Sequence, residues 1–186
     1  MRLFIGLMPN PALRREAAAY ASFFSSEMPG KYADADNYHV TLAFLGEIAE
    51  DALPDVERCM RETAARVKPF SYSILGADAF GKPERRILHL TVRGAERMGS
   101  ASDILRERLE ARGLPFDPKP FRAHITLARG VRFLPQPLPF PPAAVSCANG
   151  LTLFHSARVA DALRYTPIRF CAFSSSDDSR PAFSAG

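Results

Sequence analysis

Three of the four histidines in this 186-residue chain stand two positions before a threonine: His39–Thr41, His89–Thr91 and His124–Thr126. With six threonines in the chain, chance supplies roughly 0.1 such pairs, a margin wide enough to outweigh the false-positive rate of short motifs. Two of the three share more than the spacing. YHVTLAF (38–44) and AHITLAR (123–129) both read His, aliphatic, Thr, Leu, Ala. On a strand, alternate side chains face opposite ways, so His39 and Thr41 share one face while Val40 and Leu42 take the other. The same alternation separates His124 and Thr126 from Ile125 and Leu127. Each strand can bury its aliphatic face and leave an imidazole and a hydroxyl free.

Two such strands brought together would floor a cleft with two imidazoles and two hydroxyls. That set suits phosphodiester chemistry. One neutral imidazole takes a proton from water while the other, as imidazolium, protonates the departing oxygen, and both forms are accessible near a pKa of about 6.5. The Thr41 and Thr126 hydroxyls can donate to phosphate oxygens as charge develops on them. Rival chemistries find little support. Neither strand carries a carboxylate or cysteine at ligand spacing, so no metal site and no cofactor is expected. No nucleophile elbow, Walker loop or dinucleotide fingerprint occurs.

The elements that would position these residues can be read along the chain. RLFIGLM (2–8) reads as a buried strand, and Asn10 followed by Pro11 opens a helix to about residue 27. After the His39 strand come a helix over 51–67, a strand over 70–80 and another over 85–93. A helix over 95–112 is closed by Gly113, and the His124 strand covers 123–129. LPQPLPFPP (134–142) is a connection, because prolines lack the backbone donor that helices and inner strands need. GLTLFHSARV and YTPIRFCAF form a closing strand pair, and residues 175–186 read as a frayed tail.

Strand 2–8, helix and His39 strand correspond to strand 86–92, helix and His124 strand, with offsets of 84 residues at the first strands and 85 at the histidines. The fold expected is therefore α+β. Duplicated β-α-β units, about 1–50 and about 85–130, form two pseudo-two-fold related lobes with antiparallel sheets around a central cleft, all within residues 1–174. In this register His89 falls where the first unit has Ile5. It reads as a core or edge residue with at most a supporting role, and His155 reads the same way.

Length and composition fit an ordinary soluble globular protein. The net charge is +4, and arginines outnumber lysines 20 to 4, which is compatible with an anionic substrate such as RNA. Three cysteines without paired spacing indicate reduced thiols and a cytoplasmic setting. No signal peptide or membrane span is read, so no membrane partner is expected.

RLFIGL, YHVTLAFLG, RRILHL, FRAHITLARG and the late LTLFHS…RYTPIRF resemble the two-histidine (2H) phosphoesterase superfamily, most of all the bacterial RNA 2′,3′-cyclic phosphodiesterases, also called 2′-5′ RNA ligases. The resemblance implies hydrolysis of an RNA 2′,3′-cyclic phosphate end to a 2′-phosphomonoester without a metal. It implies His39 as proton donor and His124 as proton acceptor, with Thr41 and Thr126 holding the phosphate; the pseudo-symmetry alone does not distinguish donor from acceptor. Alternatives are 2′-5′ ligation or cleavage of another nucleotide, and a non-catalytic module that binds RNA ends. The chain departs from the family at Ala123, where Pro is frequent, and at His89, where an aromatic residue is frequent. Arg129 also matches the family pattern, although strict alternation puts it opposite His124; it reads as a phosphate contact or a structural ion pair. Phe44 falls on the buried face by the same count, so core packing competes with base stacking. Arg122, Lys119 and Arg132 flank the second motif as a basic rim able to steer RNA. The protein is expected to act as a monomer.

Overall fold

The computed structural model describes residues 1–132, 137–160 and 162–174. The expected tail at 175–186 lies outside the described residues, as do residues 133–136 of the proline-rich connection. Among the described residues no helix is long and apolar enough to cross a membrane.

Among the described residues nine strands make two antiparallel sheets. One has the order β3-β1-β8-β9, built from β1 (Arg2–Leu7), β3 (Val40–Glu47), β8 (Gly150–Val159) and β9 (Ala162–Ala172). The other has the order β2-β6-β5-β4-β7, built from β2 (Lys31–Tyr32), β4 (Phe70–Phe80), β5 (Arg86–Arg93), β6 (His124–Val131) and β7 (Val145–Ala148). Helix α1 (Pro11–Glu27) starts as expected, with the Asn10 side chain accepting from Leu13 N–H at 2.9 Å and Pro11 at its first position. A short 3-10 turn at Glu50–Ala52 precedes α2 (Leu53–Ala64), and α3 (Ala95–Glu110) follows β5. The two shortest strands, β2 and β7, escaped the sequence reading because so few residues show no periodicity.

The helices cross between the sheets. Helix α1 follows β1 of the first sheet yet packs on β4, β6 and β7 of the second. Helix α3 follows β5 of the second sheet and packs on β3 of the first, where the Ser102 hydroxyl donates to the Leu42 carbonyl at 2.7 Å. The apolar faces of the strands, including Leu3, Ile5 and Leu42 in one sheet and Leu88, Leu90 and Ile125 in the other, are buried to within 1%. That leaves each sheet's polar face free for the cleft.

A second exchange brings the two motif strands together. The chain leading into β3 first pairs with β6: Lys31 lies opposite Arg129, Tyr32 opposite Ala128, and Ala33 N–H donates to the Leu127 carbonyl at 2.8 Å. Reciprocally, the chain leading into β6 grips β3, with Asp117 N–H donating to the Phe44 carbonyl at 2.8 Å. Each His-x-Thr strand is thus held along one edge by the approach to the other. Backbone carbonyls on both edges find donors in this way, and the two motif strands are tied to one another's approach segments.

Strand register shows the doubling more sharply than the sequence does. In the first unit Gly6 pairs with Thr41, Ile5 with Ala43, Phe4 with Phe44 and Leu3 with Gly46. In the second His89 pairs with Thr126, Leu88 with Ala128, Ile87 with Arg129 and Arg86 with Val131. Two register shifts fall at the same places in both units. The first strands therefore correspond at an offset of 83, and His89 matches Gly6 instead of Ile5. One residue is decisive here, because it moves His89 from the core face to the cleft face.

Candidate active site

His39 stands immediately before β3 and His124 is the first residue of β6. Each ring is anchored by the carbonyl two residues earlier: His39 Nδ1 to Asn37 O at 2.6 Å, and His124 Nδ1 to Arg122 O at 2.6 Å. A carbonyl only accepts, so both rings carry hydrogen on Nδ1, and each Nε2 is the nitrogen free to exchange a proton. Thr41 answers that geometry in the first motif, its hydroxyl lying 2.9 Å from His39 Nε2. In the first motif the unit is therefore a carbonyl, an imidazole and a hydroxyl, each two residues apart along the chain.

Asn37 does more than lend its carbonyl. It is buried at 8% exposure, its side-chain amide donates to the Leu163 carbonyl at 2.7 Å, and its Oδ1 accepts from Tyr165 N–H at 3.0 Å. These bonds fasten the His39 approach to β9, reinforced by the 2.9 Å ion pair of Arg164 with Asp34. Nothing in the sequence marked Asn37, whose partners lie more than 120 residues away.

The two imidazoles have different walls. His39 lies in an aromatic cage, with ring centres 4.5 Å from Phe4, 4.9 Å from Tyr165 and 5.8 Å from Phe154. His124 is met by Phe80 at 5.1 Å and by His89 at 5.4 Å, while Phe80 also covers His89 at 4.6 Å. The expectation that His89 is a core residue needs correction: it is buried, but on the cleft face beside His124.

Arg129 and Phe44 need the same correction. Leu127 and Ala128 are both buried, and the bulge they form against β5 returns Arg129 to the face of His124 and Thr126. The matching bulge at Leu42 and Ala43 turns Phe44 to the cleft side of β3, where the Arg2 guanidinium lies 4.9 Å over its ring. Strict alternation fails at both positions because a bulge inserts one extra residue. Arg129 and Phe44 are thereby symmetry mates, a cation opposite an aromatic ring.

Charge and burial act together on the imidazoles. Burial in the cage pushes the His39 pKa down from 6.5 to about 4; the Asn37 carbonyl opposes this, and the charges of His124 and Arg129 add to it. His124 is also lowered, first by burial and then by the charges of His89, Arg129 and Arg122, against the lift from the Arg122 carbonyl. His89 is lowered by burial, partly offset by the Ile87 carbonyl and by Asp78. Arg129 also draws down the half-buried Tyr165 hydroxyl, whose pKa burial nevertheless keeps raised. His39, His124, Arg129 and Tyr165 therefore share one electrostatic neighbourhood, in which Asp78 is the one carboxylate among the described residues that acts, and it acts on His89.

The arrangement has known relatives. The profile of the family described as LigT like Phosphoesterase matches residues 7–89, which include the first motif. The RNA 2′,3′-cyclic phosphodiesterase of Bacillus subtilis (strain 168) is 30% identical over 129 residues, covering 67% of this chain and 70% of that protein. The enzyme of the same name from Archaeoglobus fulgidus is 29% identical over 137 residues, 73% of this chain and 76% of that one. A crystal structure of a phosphoesterase superposes with a TM-score of 0.72 at 26% identity, covering 94% of this chain and 98% of its own. Doubled strands, exchanged helices and paired histidines thus come with sequence kinship as well as a shared fold, and the chain belongs to the LigT-like phosphoesterase family.

Proposed function

We propose that this protein hydrolyses the 2′,3′-cyclic phosphodiester at an RNA end to a 2′-phosphomonoester, by paired-histidine acid–base catalysis and without a metal ion. The observation that carries the reading is the matched anchoring of His39 and His124. Both Nδ1 atoms are tied to backbone carbonyls, which leaves each Nε2 in the tautomer that proton transfer requires, and the charge of His124 acts on His39. The names of the Bacillus and Archaeoglobus relatives support the choice of substrate.

His124 Nε2 takes a proton from water as the water oxygen bonds to phosphorus. The bond from phosphorus to O3′ breaks, and His39 Nε2–H protonates O3′. The product carries phosphate on O2′ and a free 3′ hydroxyl. In the empty cleft the Thr41 hydroxyl faces an unprotonated His39 Nε2 and donates to it. Once Nε2 is protonated, the bond reverses and frees the hydroxyl hydrogen for a phosphate oxygen. Thr126 serves the other side, and Arg129 offsets the phosphate charge. A cage that holds His39 neutral appears ill-suited to an acid. The bound anion resolves this: its charge opposes both burial and the repulsion from His124 and Arg129, so His39 gains its proton together with the substrate.

The test is a short oligonucleotide ending in a 2′,3′-cyclic phosphate, assayed with a chelator present and with the product phosphate located. Turnover to the 2′-phosphate should persist in the chelator. His39→Ala and His124→Ala should each lose on the order of 10²–10⁴-fold in kcat while keeping the wild-type circular dichroism. A requirement for added divalent metal, or a 3′-phosphate product, would refute the reading.

A further inference from the structure

Beside the paired histidines the structure has a second feature to which no role has been given. A hollow of about 640 Å³ is lined by Lys31, Arg85, Arg129, Arg132, Gly30 and Gly130, with Pro29 at its rim. Four of these residues are cations and none is acidic. Lys31 and Arg129 stand directly opposite one another on the β2–β6 ladder, a pairing of like charges that destabilises a sheet. Among the described residues none of the four cations has a carboxylate within 4 Å. The hollow is therefore a concentration of uncompensated positive charge, which attracts an anion.

Its position says which anion. Arg129 is both a wall of the hollow and a group whose charge reaches His39 and His124. Arg129 also shares the β6 face of His124 and Thr126, so a ligand in the hollow lies along the same strand face as the phosphate site proposed above. Guanidinium forks and glycine backbone suit phosphate oxygens. We infer that the hollow is a subsite for the RNA backbone, binding the phosphodiester on the 5′ side of the nucleotide that carries the cyclic phosphate. This rests on the function proposed above and deepens it: the substrate is an oligonucleotide, not a mononucleotide. A nucleoside 2′,3′-cyclic phosphate fits the histidines and leaves the hollow empty.

Two substrates separate the sites: a nucleoside 2′,3′-cyclic monophosphate and a tetranucleotide ending in the same group. The wild type should favour the tetranucleotide at least tenfold in kcat/KM. Its advantage should fall as salt rises, by a slope of about 0.7 on logarithmic axes for each phosphate neutralised on a single strand. The double variant Lys31→Ala with Arg85→Ala should lose at least fivefold of that preference, carried by KM. Equal rates on the two substrates, or equal loss on both in the variant, would overturn the subsite while leaving the phosphodiesterase standing. Binding of a fluorescent tetranucleotide with a 3′-phosphate, followed by anisotropy, tests the subsite without any turnover. Weaker binding by the double variant supports it even if neither substrate is cleaved. Equal affinity refutes it.

Discussion

Replacing His39 with Gln removes from the folded protein a base whose pKa burial holds at about 4, against 6.5 for an imidazole in water. Between those two values the unfolded chain binds a proton at this position and the folded chain does not. Stability must therefore rise with pH across the window and be lost as pH falls through it. Each pH unit is worth about 1.36 kcal/mol, so the full descent from 6.5 to 4 costs the folded state about 3 kcal/mol at this residue. His124 and His89, also held low by burial, add in the same direction but remain in the variant. The assay is urea unfolding of the wild type and His39→Gln at half-unit steps from pH 7.5 to 4. The gap between the two curves isolates residue 39: the wild type should lose about 3 kcal/mol more than the variant over that range. Added inorganic phosphate should narrow the difference, because an anion between the histidines lets His39 accept its proton while folded. Parallel curves would refute the reasoning. They would mean that the cage of Phe4, Phe154 and Tyr165 admits enough water to keep the imidazole ordinary, and that no substrate charge is needed to turn it into an acid.

Asn37→Ala deletes the bonds to Leu163 and Tyr165, worth about 1 kcal/mol each. It should lower Tm by roughly 4–8 °C in a chain of this size, and it should lower kcat, because the carbonyl that holds His39 Nδ1 is then loosely placed; unchanged kcat at reduced Tm would make Asn37 structural only. His89→Phe removes a positive neighbour that depresses His124. The His124 pKa should rise, and with His124 as the base the acid limb of kcat/KM should move to higher pH; an unmoved limb would separate His89 from the chemistry. Gly6→Ala would put a Cβ 2.5 Å from the Val40 carbonyl, forcing apart the strands next to His39, so activity should fall sharply. Gly76→Ala, whose Cβ would meet only the Thr91 hydroxyl at 3.4 Å, should be tolerated, and equal loss in both would refute the steric account.

The parts of this site that could be read from sequence are those that alternation encodes. His39, Thr41, His124 and Thr126 precede any irregularity in their strands, so a period of two suffices to put each His and its Thr on one face. Helix α1 was equally legible, because Asn10 and Pro11 announce its first turn. Sequence reading went wrong just beyond the threonines, where paired bulges shift Phe44 and Arg129 by one residue. A bulge leaves no mark of its own in Leu-Ala. It is fixed by how β3 and β6 fit β1 and β5, which is tertiary information. The same shift placed His89 opposite Ile5 instead of Gly6. Asn37 and the aromatic cage were invisible for another reason: their partners on β8 and β9 arrive from the far end of the chain.

The corrected register also gives a physical origin for unequal roles in a cleft built by doubling. Gly6 and His89 are the matched positions beside Thr41 and Thr126. One must be glycine, because a side chain there would strike the Val40 carbonyl; the other holds an imidazole. Where the first unit has no side chain, Phe4, Phe154 and Tyr165 gather around His39. In the second unit His89 stands against His124 and gives it a polar, chargeable neighbour. The first imidazole thus has a proton affinity set mainly by burial, which an incoming anion can restore. The second is also lowered first by burial, and Arg129 acts on both, but His89 and Arg122 add their charges to His124. An acid that gains its proton with the substrate and a base that stays neutral without it are the two states the proposed mechanism requires. The asymmetry that selects them lies in the neighbours, not in the two motifs.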